Sequence, residues 1–415
     1  MDATHMDQGT AGAGFTRWNL TIIGLCSAIY FLDGLIHTVL GPLAPAISAD
    51  LVLDNAALGP IFSANLIGQV IGLITFPLIS NRFGHRPVIL LSVCGFVLAQ
   101  VATALAWDGN SLFAFRLIDG IFLGGCLPSC LATVAKVAPT LRRGLAITIL
   151  FTGYGAGATL SGVLAATFTG PGGWRTAILC IAAASLVSAI LAWIWLRGID
   201  DGVDGASSGA KPRSIEVLGK DLAFGTLMLW LLFIVMLTVQ YSLSSWLPTL
   251  LVDVGRDQSF AALSVTIFSL GGIIAALGVG LLIDRYGAIR VLASFLVIAS
   301  ILLFVTGQVL ASASSAVLLV LLATGGFFFL GAYGGINVVL ASYYPEALSA
   351  IGIGLTKSVS RIGTIIAPIM IGFALDAGML PATVMSLFAI PAAIAVGALV
   401  MIGRKSPRIS DRSPA

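Results

Sequence analysis

Residues 197–221, RGIDDGVDGASSGAKPRSIEVLGKD, form the longest hydrophilic segment in the interior of a chain of 415 residues. The segment is rich in Gly, Ser, Asp and Lys, a composition typical of a linker that does not build an apolar core. Six long apolar stretches precede it and six follow it. We therefore predict two six-helix halves, residues 1–197 and 222–415, joined by a linker over residues 198–221.

The overall composition indicates an all-α membrane protein. Hydrophobic residues make up 58% of the chain and charged residues only 9%, whereas a soluble domain is about 25% charged. Twelve stretches are long enough to cross about 30 Å of hydrocarbon. They lie near residues 18–46, 56–80, 87–107, 111–135, 144–168, 174–197, 222–247, 259–283, 289–310, 315–343, 347–375 and 380–402. The first is too long for the apolar part of a signal peptide, so we predict a retained span.

Basic residues between the spans indicate the orientation, because Lys and Arg resist translocation. With both termini in the cytoplasm, 16 of the 21 basic residues lie on the inner side. Arg175 and Arg256 then lie outside, and the other three basic residues lie within spans. We therefore predict a multi-pass protein of the plasma membrane, the inner membrane in a bacterium. The net charge of +3 reflects this arrangement, and we expect no nucleic-acid partner.

The sequence offers no set of residues for catalysis or metal binding. All five cysteines lie in apolar stretches, and an odd number without polar partners argues against disulfides and against a metal site. No nucleophile with a base can be assembled, so we predict that the protein is not an enzyme and needs no cofactor. The abundant glycines favour close packing of helices in the membrane.

Two short segments recur at nearly the same spacing. Residues 81–84, NRFG, after the second span recur as residues 284–287, DRYG, after the eighth, 203 residues later. Ala138-Pro139 before the fifth span corresponds to Tyr344-Pro345 before the eleventh, 206 residues later. Near-equal offsets indicate a duplicated six-helix unit whose two copies have the same orientation in the membrane.

The recurring loop carries a recognisable motif. In the second half it reads Gly280, Asp284, Arg285, Gly287 and Arg290, which resembles the loop signature of the major facilitator superfamily. The resemblance implies twelve helices around a central cavity and a cytoplasmic latch made by the acid and the arginines. In the first half an asparagine replaces the acid, which removes the charge pair. We expect the following residues to act in conformational gating: Asn81, Arg82, Arg86, Asp284, Arg285 and Arg290.

Motifs in four spans point to a narrower family. They are LDGLIHT at 32–38, FRLIDG at 115–120, YSLSSWLP at 241–248, and Tyr344, Pro345, Gly352, Gly354, Arg361, Gly363 and Pro368 in the eleventh span. Together they resemble the aromatic acid:proton symporters, which carry benzoate-like and hydroxybenzoate-like anions. The resemblance implies that spans one, four, seven and eleven approach a central cavity.

Several positions depart from the pattern of that family. Ile36 replaces an acid, His37 replaces a threonine, Ser349 replaces an arginine, and Lys136 stands where an acid is usual. Acidic partners are thus lost, while Asp119 is gained. We therefore expect an organic anion carrier whose proton chemistry is redistributed among other residues.

Ionisable side chains are rare within the spans, and six of them occur in pairs. The pairs are Asp33 with His37, Arg116 with Asp119, and Lys357 with Arg361. Spacings of three or four residues place each pair on one helix face. A cation at the centre of a span costs roughly 2.5 to 3.5 kcal/mol on insertion scales, so Lys357 and Arg361 indicate a polar cavity and an anionic partner.

We predict that Arg361 binds the carboxylate of the substrate, because its planar guanidinium can hold two oxygens at once. The alternative is a structural arginine that caps a carbonyl or pairs with Asp33. Lys357 is predicted to relay the anion or tune the site, and alternatively to extend toward the inner interface.

Aromatic and amide side chains are expected to complete the substrate site by stacking on a ring and bonding its hydroxyls. The candidates are Tyr30, Gln69, Tyr154, Gln240, Tyr241, Ser245, Trp246 and Asn337. For any single aromatic residue the alternative is helix packing, and for Trp246 it is an interfacial anchor or a gate.

Asp33 is the predicted proton carrier. Burial favours the neutral carboxyl and a nearby arginine favours the ionised one, so the arrival of an anion can switch its protonation. The alternative is a permanent salt bridge. His37 is predicted to share the proton, or else only to donate a hydrogen bond. Arg116 with Asp119 is predicted to be a second coupling pair or an outer gate, with an ion pair that serves packing as the alternative.

The sequence thus predicts proton-coupled uptake of a small carboxylate, aromatic by the resemblance, through alternating access between the two halves. The expected partners are the substrate, the proton as coupling ion and the lipid bilayer, and we expect a monomer. Proton-driven efflux of a drug or metabolite stays open, because the glycines from Gly153 to Gly162 resemble an exporter motif. Symport of a non-aromatic anion such as a sugar acid also stays open, and a sensor would need an added signalling domain.

Overall fold

A computed structural model describes residues 15–139, 142–170, 172–198, 217–219 and 222–405. In these residues the regular structure is helical throughout, without strands, and twelve stretches are long and apolar enough to cross a membrane. The predicted number of spans is confirmed. The helices are α1 Arg17–Leu51, α2 Asn55–Phe83, α3 His85–Ala104, α4 Gly109–Val137, α5 Arg143–Thr167, α6 Gly173–Trp195, α7 Ala223–Asp253, α8 Gln258–Tyr286, α9 Ala288–Val309, α10 Ser315–Tyr343, α11 Glu346–Asp376, α12 Pro381–Leu387 and α13 Ala389–Lys405.

Two features of the helix boundaries differ from the hydropathy pattern. The first helix continues to Leu51 and the seventh to Asp253, several residues beyond their apolar stretches, because a helix does not have to end where the hydrocarbon ends. The last span, Pro381–Lys405, consists of α12 and α13. The predicted linker lies mostly outside the described residues, so the division at 198–221 and the cytoplasmic location of the termini stay predictions.

Polar residues cap several helix starts and satisfy backbone N–H groups that lack an intrahelical partner. Asp54 accepts a hydrogen bond from the Ala57 N–H at 2.7 Å, and Asp108 accepts one from the Ser111 N–H at 2.8 Å. The Ser111 hydroxyl in turn accepts from the Asp108 N–H at 3.1 Å, which completes a capping box. These caps explain why α2 and α4 begin where they do.

Glycines allow neighbouring helices to approach closely, as predicted for packing in a membrane. Helix α1 packs on α5, and α2 packs on α4. A Cβ atom added at Gly157 of α5 would overlap the Phe31 carbonyl of α1, and one added at Gly68 of α2 would overlap the Leu117 carbonyl of α4. These helix pairs therefore pack with backbone close to backbone, and a larger residue would separate them.

The first six spans meet the last six through α1 with α7, α2 with α11 and α5 with α8. Added Cβ atoms at Gly41, Gly59 and Gly162 would touch backbone carbonyls of α7, α11 and α8 respectively. Gly41 and Gly162 lie in the last parts of α1 and α5, and Gly59 lies in the first turns of α2. We call this side of the molecule the closed end.

The opposite side is less tightly packed, and we call it the open end. It contains the start of α1, the end of α2, and the starts of α5 and α11. No other helix has an atom within 4 Å of an added Cβ at Gly24, Gly144 or Gly354. The close glycine contacts between the two sets of helices described above thus lie at the closed end.

Candidate functional site

A cavity of about 970 Å³ lies between the two sets of helices. Helices α1, α2, α4, α5, α7, α10 and α11 contribute to its wall. The polar and aromatic residues that border it are Tyr30, Asp33, Gln69, Phe151, Tyr154, Gln240, Tyr241, Tyr333, Asn337, Lys357, Ser358 and Arg361. Eight of the ten residues predicted for the substrate site therefore border one cavity, all but Ser245 and Trp246, together with the predicted proton carrier Asp33.

Arg361 lies near the middle of α11 and points toward α7. Its Nη1 atom donates a hydrogen bond to the Tyr241 hydroxyl at 3.4 Å, and its guanidinium carbon lies 5.9 Å from the centre of that ring. Neither of the two salt bridges found among the described residues includes Arg361. The guanidinium has several N–H donors, so most of its hydrogen-bonding capacity is available to an anion in the cavity.

Lys357 lies one turn nearer the open end and points toward α10 and α7. Its Nζ atom donates to Asn337 Oδ1 at 2.6 Å and lies 4.4 Å from the centre of the Phe233 ring and 5.4 Å from that of Tyr333. Both rings can stabilise the ammonium through their negative faces. Within the described part of the chain, no carboxylate forms a salt bridge with Lys357.

Asp33 is 4% exposed, and its Oδ1 atom has no hydrogen-bond partner among the described residues. Buried charges in proteins are normally paired. Arg361 is close enough to act on Asp33 electrostatically, but no salt bridge between them occurs in the described residues. The carboxyl therefore lacks the fixed partner that a purely structural role would require.

His37 lies beside the cavity wall and not on it. Its Nδ1 atom is 3.0 Å from Gln69 Nε2, and its ring centre lies 5.0 Å from that of Tyr241, nearly perpendicular to it. With the Gln69 amide donating, the neutral imidazole carries its proton on Nε2. Two cavity residues, Gln69 and Tyr241, thus connect His37 to the space where a ligand would bind.

Arg116 and Asp119 form a separate buried cluster that does not border the cavity. They make a salt bridge of 3.0 Å and are 1% and 0% exposed. Asn65 of α2 and Gln100 of α3 donate to Asp119 Oδ2 at 3.1 and 2.9 Å, and Arg116 donates to the Ile36 carbonyl of α1 at 3.1 Å. The cluster joins four helices, which is the arrangement expected of an ion pair that serves packing.

Trp246, like its neighbour Ser245, does not border the cavity. It is fully buried, packs edge-on against Phe62 at 5.2 Å between ring centres, and donates to the Pro368 carbonyl at 3.2 Å. These contacts join α7 to α2 and α11 at the closed end. The indole is thus far better placed to hold the two sets of helices together than to touch a ligand.

Four of the loop residues predicted for gating form no salt bridge within the described residues, namely Arg82, Asp284, Arg285 and Arg290. Arg82 and Arg285 each lie 5.3 Å from the centre of the next residue's ring, Phe83 and Tyr286. Asp284 is exposed, and the side chain of Asn81 lies outside what the structure describes. The remaining predicted residues, Arg86 and Arg290, lie at the start of α3 and of α9.

Sequence reasoning missed several residues of the cavity wall. Tyr333 precedes Asn337 by four residues on α10 and therefore shares its helix face, and Phe151 precedes Tyr154 by three on α5. Phe233 contacts the Lys357 ammonium. The spacing relative to a predicted residue was an available signal for Tyr333 and Phe151, whereas an isolated Phe in an apolar helix carries none.

Comparisons with known proteins agree with the family resemblance seen in the motifs. The profile of the Major Facilitator Superfamily matches residues 26–368 and 229–415. A gallate transporter of Pseudomonas putida is 32% identical over 92% of this chain and 91% of the relative. A 4-hydroxybenzoate transporter of the same organism is 29% identical over 94% of this chain and 93% of the relative. The crystal structure of a D-xylose-proton symporter superposes with a TM-score of 0.80 at 17% identity, covering 96% of this chain and all of that one.

Proposed function

The chain belongs to the major facilitator superfamily, and we propose that it takes up small aromatic carboxylates together with protons. Two relatives of nearly the same length are named as transporters of gallate and of 4-hydroxybenzoate. The observation that carries the proposal is Arg361, a cation that borders an aromatic cavity without a carboxylate partner in the described residues. In this proposal the carboxylate of the substrate is the anionic partner of Arg361.

The carboxylate of the substrate binds to Arg361, with the Tyr241 hydroxyl 3.4 Å away as a second polar contact. The aromatic ring then lies against the tyrosines of the wall. Tyr30 and Tyr154 already contact each other at 5.2 Å between ring centres, and offset or edge-on contacts between rings at such distances are favourable. Gln240 and Asn337 border the same space and provide polar contacts for ring substituents.

Asp33 carries the coupled proton in this proposal. An ionised Asp33 and a bound carboxylate are both attracted to Arg361, and they repel each other. Protonation of Asp33 removes that competition, so it favours substrate binding, and by reciprocity substrate binding favours protonation. His37 is connected to the site through Gln69 and Tyr241 and shares or relays the proton.

The transport cycle alternates access between the two six-helix halves, residues 1–197 and 222–415. With both termini in the cytoplasm of a bacterial cell, the open end faces the cytoplasm, and the structure represents an inward-open state. The loop residues Arg82, Arg86, Asp284, Arg285 and Arg290 contribute to closing the open end in the other state. We propose that the protein works as a monomer, without a cofactor other than the proton.

Uptake into proteoliposomes tests the proposal. Labelled 4-hydroxybenzoate and gallate are supplied outside, and an inward proton gradient is imposed. We expect accumulation that collapses with a proton ionophore and is lost in Arg361→Ala. The matched control is Arg256→Ala, because Arg256 donates to backbone carbonyls near 310–313 at the closed end and does not border the cavity.

Two results would contradict the proposal. One is the absence of gradient-driven uptake of any aromatic carboxylate by folded protein. The other is uptake that persists unchanged in both Arg361→Ala and Asp33→Asn. Exit of substrate from right-side-out vesicles in exchange for entering protons would instead favour the efflux alternative.

A further inference from the structure

We infer that the preferred substrate is a dianion, an aromatic acid with a second carboxylate, held by Arg361 at one end and Lys357 at the other. The inference rests on the proposed function and narrows its substrate class. Both cations border the same cavity. Gallate and 4-hydroxybenzoate, after which the two relatives are named, each carry a single carboxylate and would need only one cation.

The two cations contact different helices of the cavity wall. They lie four residues apart on α11, about 6 Å along the helix axis, but their side chains diverge. Arg361 bonds Tyr241 of α7, whereas Lys357 bonds Asn337 of α10. A benzene ring with two carboxylates can place one carboxylate at each cation, whereas a single carboxylate would be shared between them or would leave one cation without an anion.

The charges of the cavity wall favour the same conclusion. The described residues that border the cavity include two cations, Lys357 and Arg361, and one carboxylate, Asp33. When Asp33 accepts the coupled proton, the wall carries two positive charges and no negative one. Unbalanced charge is costly in a space surrounded by apolar helices. A monoanion would leave one positive charge unbalanced in the loaded carrier, whereas a dianion balances both.

The hydrogen bonds around Lys357 leave part of its ammonium available to an anion. Asn337 Oδ1 already accepts from Lys357, and Asn337 Nδ2 donates to the Tyr333 carbonyl at 2.8 Å. The ammonium itself can only donate. An ammonium has three N–H donors, and Asn337 occupies one of them. The other donors of Lys357 can bind the oxygens of a carboxylate, which accepts hydrogen bonds and balances the charge of the ammonium.

Competition experiments test the inference in the same proteoliposomes. Benzoate, 4-hydroxybenzoate, benzene-1,3-dicarboxylate and benzene-1,4-dicarboxylate are compared as inhibitors of labelled uptake. We expect one of the dicarboxylates to inhibit at a concentration about tenfold lower than benzoate, the ratio that one charge-assisted hydrogen bond supplies. It should also be taken up itself when labelled.

Variants of Lys357 assign the preference to this residue. Lys357→Met should lose the preference for the dicarboxylate, measured as the ratio of the inhibitory concentrations of benzoate and dicarboxylate, and Lys357→Arg should retain it. Lys405→Met is the matched control, because the Lys405 ammonium also packs on a ring, that of Phe224 at 3.8 Å, but lies at the end of α13.

The results separate this inference from the proposed function. Equal inhibition by monocarboxylates and dicarboxylates, or a dicarboxylate preference that survives in Lys357→Met, overturns the inference and leaves aromatic acid uptake intact. Loss of all uptake in both Lys357→Met and Lys357→Arg also overturns the inference. The positive charge, which arginine keeps, would then not be the property that the protein needs at position 357. Failure of the wild-type protein to take up any aromatic carboxylate removes the proposed function and the inference together.

Discussion

The ionisable residues within the spans differ in whether the fold provides them with partners. Arg116 and Asp119 bind each other and are held by side chains and a carbonyl from neighbouring helices. Asp33, Lys357 and Arg361 border the cavity and form no salt bridge within the described residues. The first group has the contacts of a structural ion pair, whereas the second group is available to a ligand and a proton.

Replacement of Asp33 should separate transport from proton coupling. Asp33→Asn keeps the size of the side chain but cannot release a proton, so we expect loss of accumulation driven by a proton gradient. Exchange of labelled for unlabelled substrate across the membrane should continue, because it needs no net proton movement. The control is Asp376→Asn, at an exposed position at the end of α11. Gradient-driven accumulation by Asp33→Asn would exclude Asp33 as the proton carrier.

The buried pair predicts a different response to mutation. Asp119→Leu leaves the Arg116 charge buried without its partner, and breaking such a pair typically costs about 3 to 5 kcal/mol. The double variant Arg116→Leu with Asp119→Leu removes both charges and should be more stable than Asp119→Leu alone. The unfolding temperatures of the purified single and double variants in detergent measure these differences in stability. A double variant that is less stable than either single variant would contradict a packing role for the pair.

Helix packing in this protein depends on which face of a helix carries its glycines. On α5, Gly157 faces the backbone of α1, where an added Cβ would overlap the Phe31 carbonyl. Gly155, only two residues away, has no atom of another helix within 4 Å of that position. We therefore expect the fold to require glycine at position 157 and to accept a larger residue at position 155.

These two glycines make a matched pair for mutation. Gly157→Leu should push α5 away from α1, which carries Asp33, and lower both the unfolding temperature and uptake. Gly155→Leu should change the unfolding temperature little, since its side chain enters open space. Equal destabilisation by both variants would contradict the role of the helix contact, because replacement of glycine by leucine in itself raises helix propensity.

The whole molecule has a closed end and an open end, and alternating access requires that they exchange. Contacts at Gly41, Gly59 and Gly162 hold the closed end together, and Trp246 adds a hydrogen bond to the Pro368 carbonyl there. The cavity lies between these contacts and the open end. Weakening the closed end should therefore favour the state in which the cavity opens on the opposite side.

Gly41→Val tests this expectation. Its side chain would overlap the Ser244 carbonyl of α7, so the closed end should separate. A cysteine at Ser358, which borders the cavity, would report access to a thiol reagent that does not cross membranes, after replacement of the exposed Cys94 and Cys180. We expect labelling from the closed-end side to increase and from the open-end side to decrease.

Gly397→Val is the control, because an added Cβ at Gly397 of α13 meets no atom of the described residues within 4 Å. Labelling in this variant should match that of the parent. An unchanged labelling pattern in Gly41→Val, with the protein still folded, would show that the contact of α1 with α7 does not determine which end is closed.

The sequence by itself determined the spans and the family, because hydropathy is a local property and the motifs in separate helices match at fixed spacings. It also identified the charged pairs, since a charge in a long apolar stretch is conspicuous. The tertiary structure alone decided that Arg361 and Lys357 border a cavity whereas Arg116 and Asp119 do not. A spacing of three or four places two residues on one helix face, but only the packing of neighbouring helices decides what that face meets. For the same reason, the sequence alone did not show that Trp246 packs between helices at the closed end or that Tyr333 borders the cavity.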